Sequence, residues 1–185
     1  MKKDEIRRQV RARKALLSDE EKHAKAARVW EALEQTAAFK MARNVLLYHS
    51  LPDELATHGF LDRWHSRKSL FLPRVNGVNL EILPYVPGAL ADGSFDIAEP
   101  QGHDLVEVSA MDLVIVPAVA YDRAGNRVGR GKGYYDRLLS SCSAMKIGIG
   151  YHFQLVDEIE AEPHDVGVDM VITECSSIIV KGKRR

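Results

Sequence analysis

From residue 129 the chain reads Gly129-Arg130-Gly131-Lys132-Gly133-Tyr134-Tyr135-Asp136-Arg137. Three glycines alternate with two cations, and a carboxylate follows three residues after the last glycine. Glycine tolerates positive φ and lets backbone approach a ligand closely. Successive N–H groups in such a loop make a concavity for an anion. Arg130 and Lys132 add charge at the same place. The apolar run Leu113-Val114-Ile115-Val116-Pro117 precedes the loop and reads as a buried strand. Residues 134–140 can form a helix behind it. Strand, glycine turn and helix N-terminus together suit a phosphate, with Asp136 placed to hold a magnesium ion on it. The spacing is neither a Walker A loop, since Gly133 follows Lys132, nor a G-x-G-x-x-G dinucleotide fingerprint. A flexible basic turn would also carry glycines and cations, but it has no use for the adjacent aromatics Tyr134 and Tyr135.

Elements able to position this loop are legible on both sides. Residues 3–17 read as a helix with Ile6, Val10 and Leu17 on its apolar stripe. Ser18 and Glu21 form a capping box that starts a second helix, with Ala27, Trp30 and Leu33 inward. Strands are expected at 44–48, 70–72 (ended by Pro73), 80–83, 113–116, 146–149, 168–172 and 178–180. A third helix is expected over 54–64, and a long loop region over 86–103. Strands alternating with helices predict an α/β fold, a three-layer α/β/α arrangement in a single domain spanning 1–185, with a largely parallel or mixed central sheet. Ligands of such sheets bind beyond the carboxyl ends of the strands. Tyr48, Pro73, Pro117 and Thr173 stand at such ends.

The composition narrows the function. A hydrophobic content of 45% is ordinary for a globular chain. A net charge of zero argues against bulk nucleic-acid binding. Cys142 and Cys175 form no C-x-x-C pair, so neither a zinc nor a redox motif is indicated, and a cytoplasmic protein with free thiols is expected. No apolar stretch approaches the roughly 20 residues that span a bilayer, and no apolar leader follows Met1-Lys2-Lys3-Asp4. The basic tail 181–185 reads as a solvated end.

The segment from Val116-Pro117-Ala118-Val119-Ala120-Tyr121-Asp122-Arg123-Ala124-Gly125-Asn126-Arg127-Val128 through Arg137 resembles the signature of the 5-formyltetrahydrofolate cyclo-ligase family. Ala118 stands where glycine is commoner. Further segments agree in order: Lys3-Asp4-Glu5-Ile6-Arg7 with Leu17-Ser18-Asp19-Glu20-Glu21; Tyr48-His49-Ser50-Leu51-Pro52-Asp53-Glu54 with Leu72-Pro73-Arg74-Val75; and Glu162-Pro163-His164-Asp165 with Val168-Asp169-Met170-Val171-Ile172-Thr173. The resemblance implies an enzyme that converts 5-formyltetrahydrofolate to 5,10-methenyltetrahydrofolate with ATP and Mg²⁺. It implies Arg130 and Lys132 as catalytic cations, and Lys3, Arg7, Arg127, Gly129, Gly131, Gly133, Tyr134 and Tyr135 with them around ATP. Folate would meet Arg7, His49, Glu54, Tyr134 and the loop 130–133. Asp136 and Asp169 would hold the metal. A monomer without nucleic-acid or membrane partners is expected.

Other readings of the residues alone stay open. Lys3 and Arg7 share a helix face, and a basic helix face is usually just solvated. Glu54 would suit a helix first turn. Asp169 would suit a buried ion pair with an arginine. His49, His103 and His152 lack metal-ligand spacing, and no role follows for His164 and Asp165. One of Tyr134 and Tyr135 should pack in the core while the other lines the site. A sugar-phosphate or CoA-ester enzyme could use the same loop for phosphate alone. An RNA-binding module could use its cations and tyrosines.

Overall fold

A computed structural model describes residues 2–93 and 97–181. The basic tail beyond Lys181 lies outside the described residues, as do three residues of the expected long loop. The helices are α1 (Lys3–Lys14), α2 (Asp19–Gln35), α3 (Ala37–Met41), α4 (His58–Trp64) and α5 (Tyr134–Leu139). The strands are β1 (Asn44–Leu46), β2 (Ser69–Asn76), β3 (Asn79–Pro84), β4 (Leu90–Asp92), β5 (Ala98–Pro100), β6 (Leu113–Val116), β7 (Ala120–Tyr121), β8 (Arg127–Val128), β9 (Met145–Ile149), β10 (Met170–Ile172) and β11 (Ser177–Ile179).

Seven strands make the main sheet, in the order β11-β10-β9-β6-β1-β2-β3. Its five central strands run parallel, and β3 and β11 pair antiparallel at the edges. The expected largely parallel α/β sheet is what forms. Residues alternate between faces with the strand period of two. Val45, Leu113, Ile115, Ile147 and Ile172 pack with the buried faces of α2, α3 and α4. Leu46, Val114, Val116 and Val171 pack with Leu139 of α5 and with Tyr121 on the opposite side. From β1 the chain moves to β2 on one side, and β6 later docks on the other. That reversal makes a crevice at the carboxyl ends of β1 and β6, where sheets of this kind take ligands.

The Ser18/Glu21 capping box forms as expected. The inward stripe of α2 is Ala26, Val29, Trp30 and Leu33, and Ala27 is exposed. A helix turns 3.6 residues per turn, so Ala26 stacks over Trp30 and Leu33. β2 runs through Pro73 instead of ending there. β1 pairs only with residues 69–71, so Pro73 lies past that ladder and its missing N–H costs nothing on that side. β2 then turns into β3 through Gly77 at φ 60°. The expected helix over 54–64 begins only at His58. The long loop contains the β4–β5 hairpin.

Candidate active site

The glycine loop does not follow β6 directly. The small hairpin β7–β8 stands between them. Asp122 organises it: Oδ1 accepts from the N–H groups of Ala124 and Asn126, and Oδ2 accepts from the Asn126 side chain and the N–H of Ile159. That buried carboxylate is thus fully engaged by donors. Tyr121 anchors the hairpin to the sheet. Its hydroxyl donates to the Val116 carbonyl at 2.6 Å. A Cβ on Gly148 would lie 2.2 Å from its ring, so only glycine lets the ring cross β9. The signature segment therefore does two things. Residues 116–128 build a rigid arm, and residues 129–136 are what it presents.

Gly131 and Gly133 have φ of 95° and 68°, and Gly133 is the N-cap of α5. The short helix and the turned loop frame one side of a cleft of about 630 Å³, within the range of ligand pockets. Lys3 and Arg7 of α1 line it, as do Tyr48 and His49 beyond β1, Pro73 and Val75 of β2, Pro117 and Ala118 beyond β6, and Arg127 of β8. Every residue from Gly129 to Asp136 lines it too. Thr173, at the end of β10, is not part of it and instead bonds Ser176.

Specific contacts tie these elements together. Arg7 Nε donates to the Gly129 carbonyl at 3.0 Å, stapling α1 to the loop entrance. Lys3 Nζ reaches Asp165 at 2.7 Å and Glu162 at 3.3 Å. Burial disfavours the Lys3 charge, but the Asp165 and Glu162 carboxylates outweigh it and hold the pKa above the usual lysine value. Asp165 is burdened by burial, yet the Glu162 N–H and Lys3 hold its carboxyl below the ordinary range. Arg130 bonds Asp53 at 2.7 Å and Glu54 at 3.1 Å, linking the loop to the turn after β1. Glu54 also accepts from the N–H of Leu51 at 3.0 Å, so its carboxylate is fixed by its own turn rather than by a helix.

The two tyrosines both line the cleft, and Tyr135 also packs against the core cluster of Val116 and Leu139, so core and site are shared and not divided between them. Tyr134 lies under the Arg137 guanidinium and donates to the Gly77 carbonyl at 3.3 Å. Tyr135 turns its hydroxyl into a buried place where it has no partner among the described residues. Burial pushes the pKa of Tyr135 far up, and that of Tyr48 likewise. His49 stacks on His58 with centroids 3.9 Å apart, and burial followed by His58 lowers its pKa.

Residues 1–174 match the 5-formyltetrahydrofolate cyclo-ligase family. The chain belongs to that family. The 5-formyltetrahydrofolate cyclo-ligase of Haemophilus influenzae is 29% identical over 175 residues, covering 89% of this chain and 94% of that protein. The Escherichia coli K12 cyclo-ligase is 32% identical over 143 residues, covering 72% and 79%. The solution structure of Aquifex aeolicus 5,10-methenyltetrahydrofolate synthetase superposes with a TM-score of 0.89 at 32% identity, covering 100% of this chain and 96% of that one. As a member of the cyclo-ligase family the protein is an enzyme.

One pair expected from the family resemblance does not come together. Asp136 reaches the cleft wall, where its Oδ1 accepts from Arg127 Nη2 and from the N–H of Val166. Its Oδ2 takes no hydrogen bond among the described residues. Asp169 lines no part of the cleft. It sits before β10, at the amino end of the sheet, where it accepts from the Lys146 N–H at 2.8 Å and pairs with Lys146 Nζ at 3.3 Å. The ion-pair alternative for Asp169 is what forms, with a lysine in place of an arginine. Magnesium is commonly held by one or two carboxylates together with substrate phosphates. Asp136 beside the glycine loop fits that donor set, and Asp169 does not.

The cleft also holds residues that pattern reading did not single out. Lys14 ends α1 and lines the cleft. Glu99 is 6% exposed and accepts from the Val75 N–H, holding β5 over β2. Lys14 falls on the face of Lys3 and Arg7, which was a usable signal. Glu99 has no local pattern, because its partner is a backbone group 24 residues away in sequence.

Proposed function

We propose that this enzyme converts 5-formyltetrahydrofolate to 5,10-methenyltetrahydrofolate with ATP and Mg²⁺. Family membership and the names of the relatives support the overall conversion. The observation that carries the finer reading is the Arg130–Glu54 contact. It joins an anion-binding glycine loop to a fixed carboxylate within a single cleft. Glu54 suits the adjacent N–H donors on the pterin edge. The glycine loop, with Arg7, Arg130 and Lys132, suits the ATP phosphates. The formyl group of a pterin at Glu54 then faces the phosphate side.

The reaction runs in two displacements. The formyl oxygen attacks the γ-phosphorus, and the bond to the bridging oxygen breaks to release ADP. N10 then attacks the formyl carbon and gives up its proton to solvent, and phosphate leaves as the C–O bond breaks. An amide-like oxygen is a weak nucleophile, so positioning and charge stabilisation must supply the catalysis. Arg130 and Lys132 stabilise charge on the transferring and departing phosphoryl oxygens. Arg7 orients the loop and meets the nucleotide, while Lys3, held by Asp165, extends the cationic wall. Arg127 keeps Asp136 in place, and Asp136 would hold the magnesium, which neutralises phosphate charge when bound. Tyr134 and Tyr135 line the nucleotide side, and His49 closes the folate side.

Calorimetric titrations of the Glu54→Gln variant test this division. Affinity for 5-formyltetrahydrofolate should fall roughly 10- to 100-fold, the worth of a hydrogen bond to a charged group, with ATP affinity unchanged. Unchanged folate affinity in a folded variant would remove Glu54 from the pterin site.

A further inference from the structure

Lys14 is the cation of the cleft whose charge the structure leaves least answered. It is the last residue of α1, whose final turn also carries Arg11 and Arg13. Those two are exposed, whereas Lys14 is half-buried and turns into the cleft. Its ammonium makes no hydrogen bond or ion pair among the described residues. Asp53 and Glu54 lie within electrostatic reach, as does the like charge of Arg130, and both carboxylates are engaged by Arg130. Burial lowers the pKa of Lys14, ahead of the opposing pull of Asp53 and Glu54. A half-buried ammonium without a partner favours an incoming anion.

Lys3, Arg7 and Lys14 make a cationic rail along one face of α1. Seven residues separate Arg7 from Lys14, about 10 Å along the axis. Arg7 meets the glycine loop. Lys14 is therefore displaced along α1 from the Arg7–Gly129 contact toward Asp53 and Glu54. We propose that Lys14 is a substrate-binding residue that holds an anionic oxygen, and that its ligand is the glutamyl carboxylate of the folate. This rests on the folate and ATP reading above. In that reading the phosphates already have Arg7, Arg130, Lys132 and the loop N–H groups, whereas the tail carboxylates, ionised at neutral pH, have no cation assigned.

Calorimetry on Lys14→Met and Lys14→Gln, each checked for an unchanged thermal melt, provides the test. Three probes are titrated: 5-formyltetrahydrofolate, the corresponding 5-formyltetrahydropteroate without the glutamyl group, and ATP. The expected result is a roughly 10- to 100-fold weaker Kd for the folate. The pteroate and ATP should bind the variants and the wild type equally, and Lys14→Arg should recover most of the folate affinity. Weakened ATP binding with intact folate binding would reject the carboxylate and give Lys14 to phosphate. No change for any probe would overturn the proposal. Wild-type protein that fails to bind the folate at all would instead overturn the functional reading on which this rests.

Discussion

Replacing Asp136 by Asn isolates the clamp beneath the glycine loop. The Arg127 side chain is 4% exposed and gives Nε to the Val166 carbonyl and Nη2 to Asp136. Asn keeps an acceptor but removes the only carboxylate paired with that guanidinium among the described residues. Removing one partner of a buried pair costs about 3–5 kcal/mol, because the remaining charge stays buried. Asp136 is 19% exposed on the cleft side, so the lower end applies, about 3 kcal/mol. An unfolding entropy near 2.1 cal/mol/K per residue gives roughly 0.39 kcal/mol/K for this chain, and hence a fall in Tm of about 8 °C. Differential scanning calorimetry of ligand-free protein reads it. Combining the variant with Arg127→Met should recover part of the loss, since the two sites act as one unit. A ligand-free Tm within about 2 °C of wild type would refute the argument that Asp136 discharges a buried arginine.

Asp169→Asn should lower stability by roughly 2–3 kcal/mol, less than a fully buried pair because Asp169 is 24% exposed. Its Mg²⁺ requirement should stay as in wild type, while that of Asp136→Asn rises; a Mg²⁺ titration of activity beside thermal melts separates them, and a shifted requirement in a stable Asp169→Asn protein would contradict the placement. Tyr135→Phe removes a buried hydroxyl that lacks a partner among the described residues, so Tm should hold or rise by a degree or two; a clear loss of Tm would mean the hydroxyl is satisfied in solution. Lys132→Ala should cost about 3 kcal/mol of transition-state stabilisation, roughly a hundredfold in kcat, with little change in Tm. An unchanged kcat with a lowered Tm would assign Lys132 to structure.

Features set by local chemistry were readable from the sequence. The Ser18/Glu21 box starts α2 because both partners lie within four residues. The apolar run at 113–116 and the segment expected as a strand at 146–149 are both central strands of the covered sheet. The glycine loop could be found from its residue types, since positive φ and clustered cations leave few other uses. What was not legible depended on distant partners. Asp169 is apolar-flanked in the way a metal ligand could be, but its partner Lys146 is 23 residues away. Glu54 looks like a helix opener, yet its carboxylate is claimed by Leu51 and by Arg130, 76 residues on. The β7–β8 hairpin was hidden because two-residue strands carry no periodicity, and its stability comes from Asp122 and Tyr121 acting across the fold.

The central claim is that this cleft closes the folate ring at the expense of ATP. The most direct measurement follows methenyltetrahydrofolate spectrophotometrically in a mixture of purified protein, 5-formyltetrahydrofolate, ATP and Mg²⁺, with ADP quantified in the same samples. The account predicts one ADP per methenyl product, with no product when ATP or Mg²⁺ is omitted. Product formed without ATP, or ADP released without folate turnover, would contradict it.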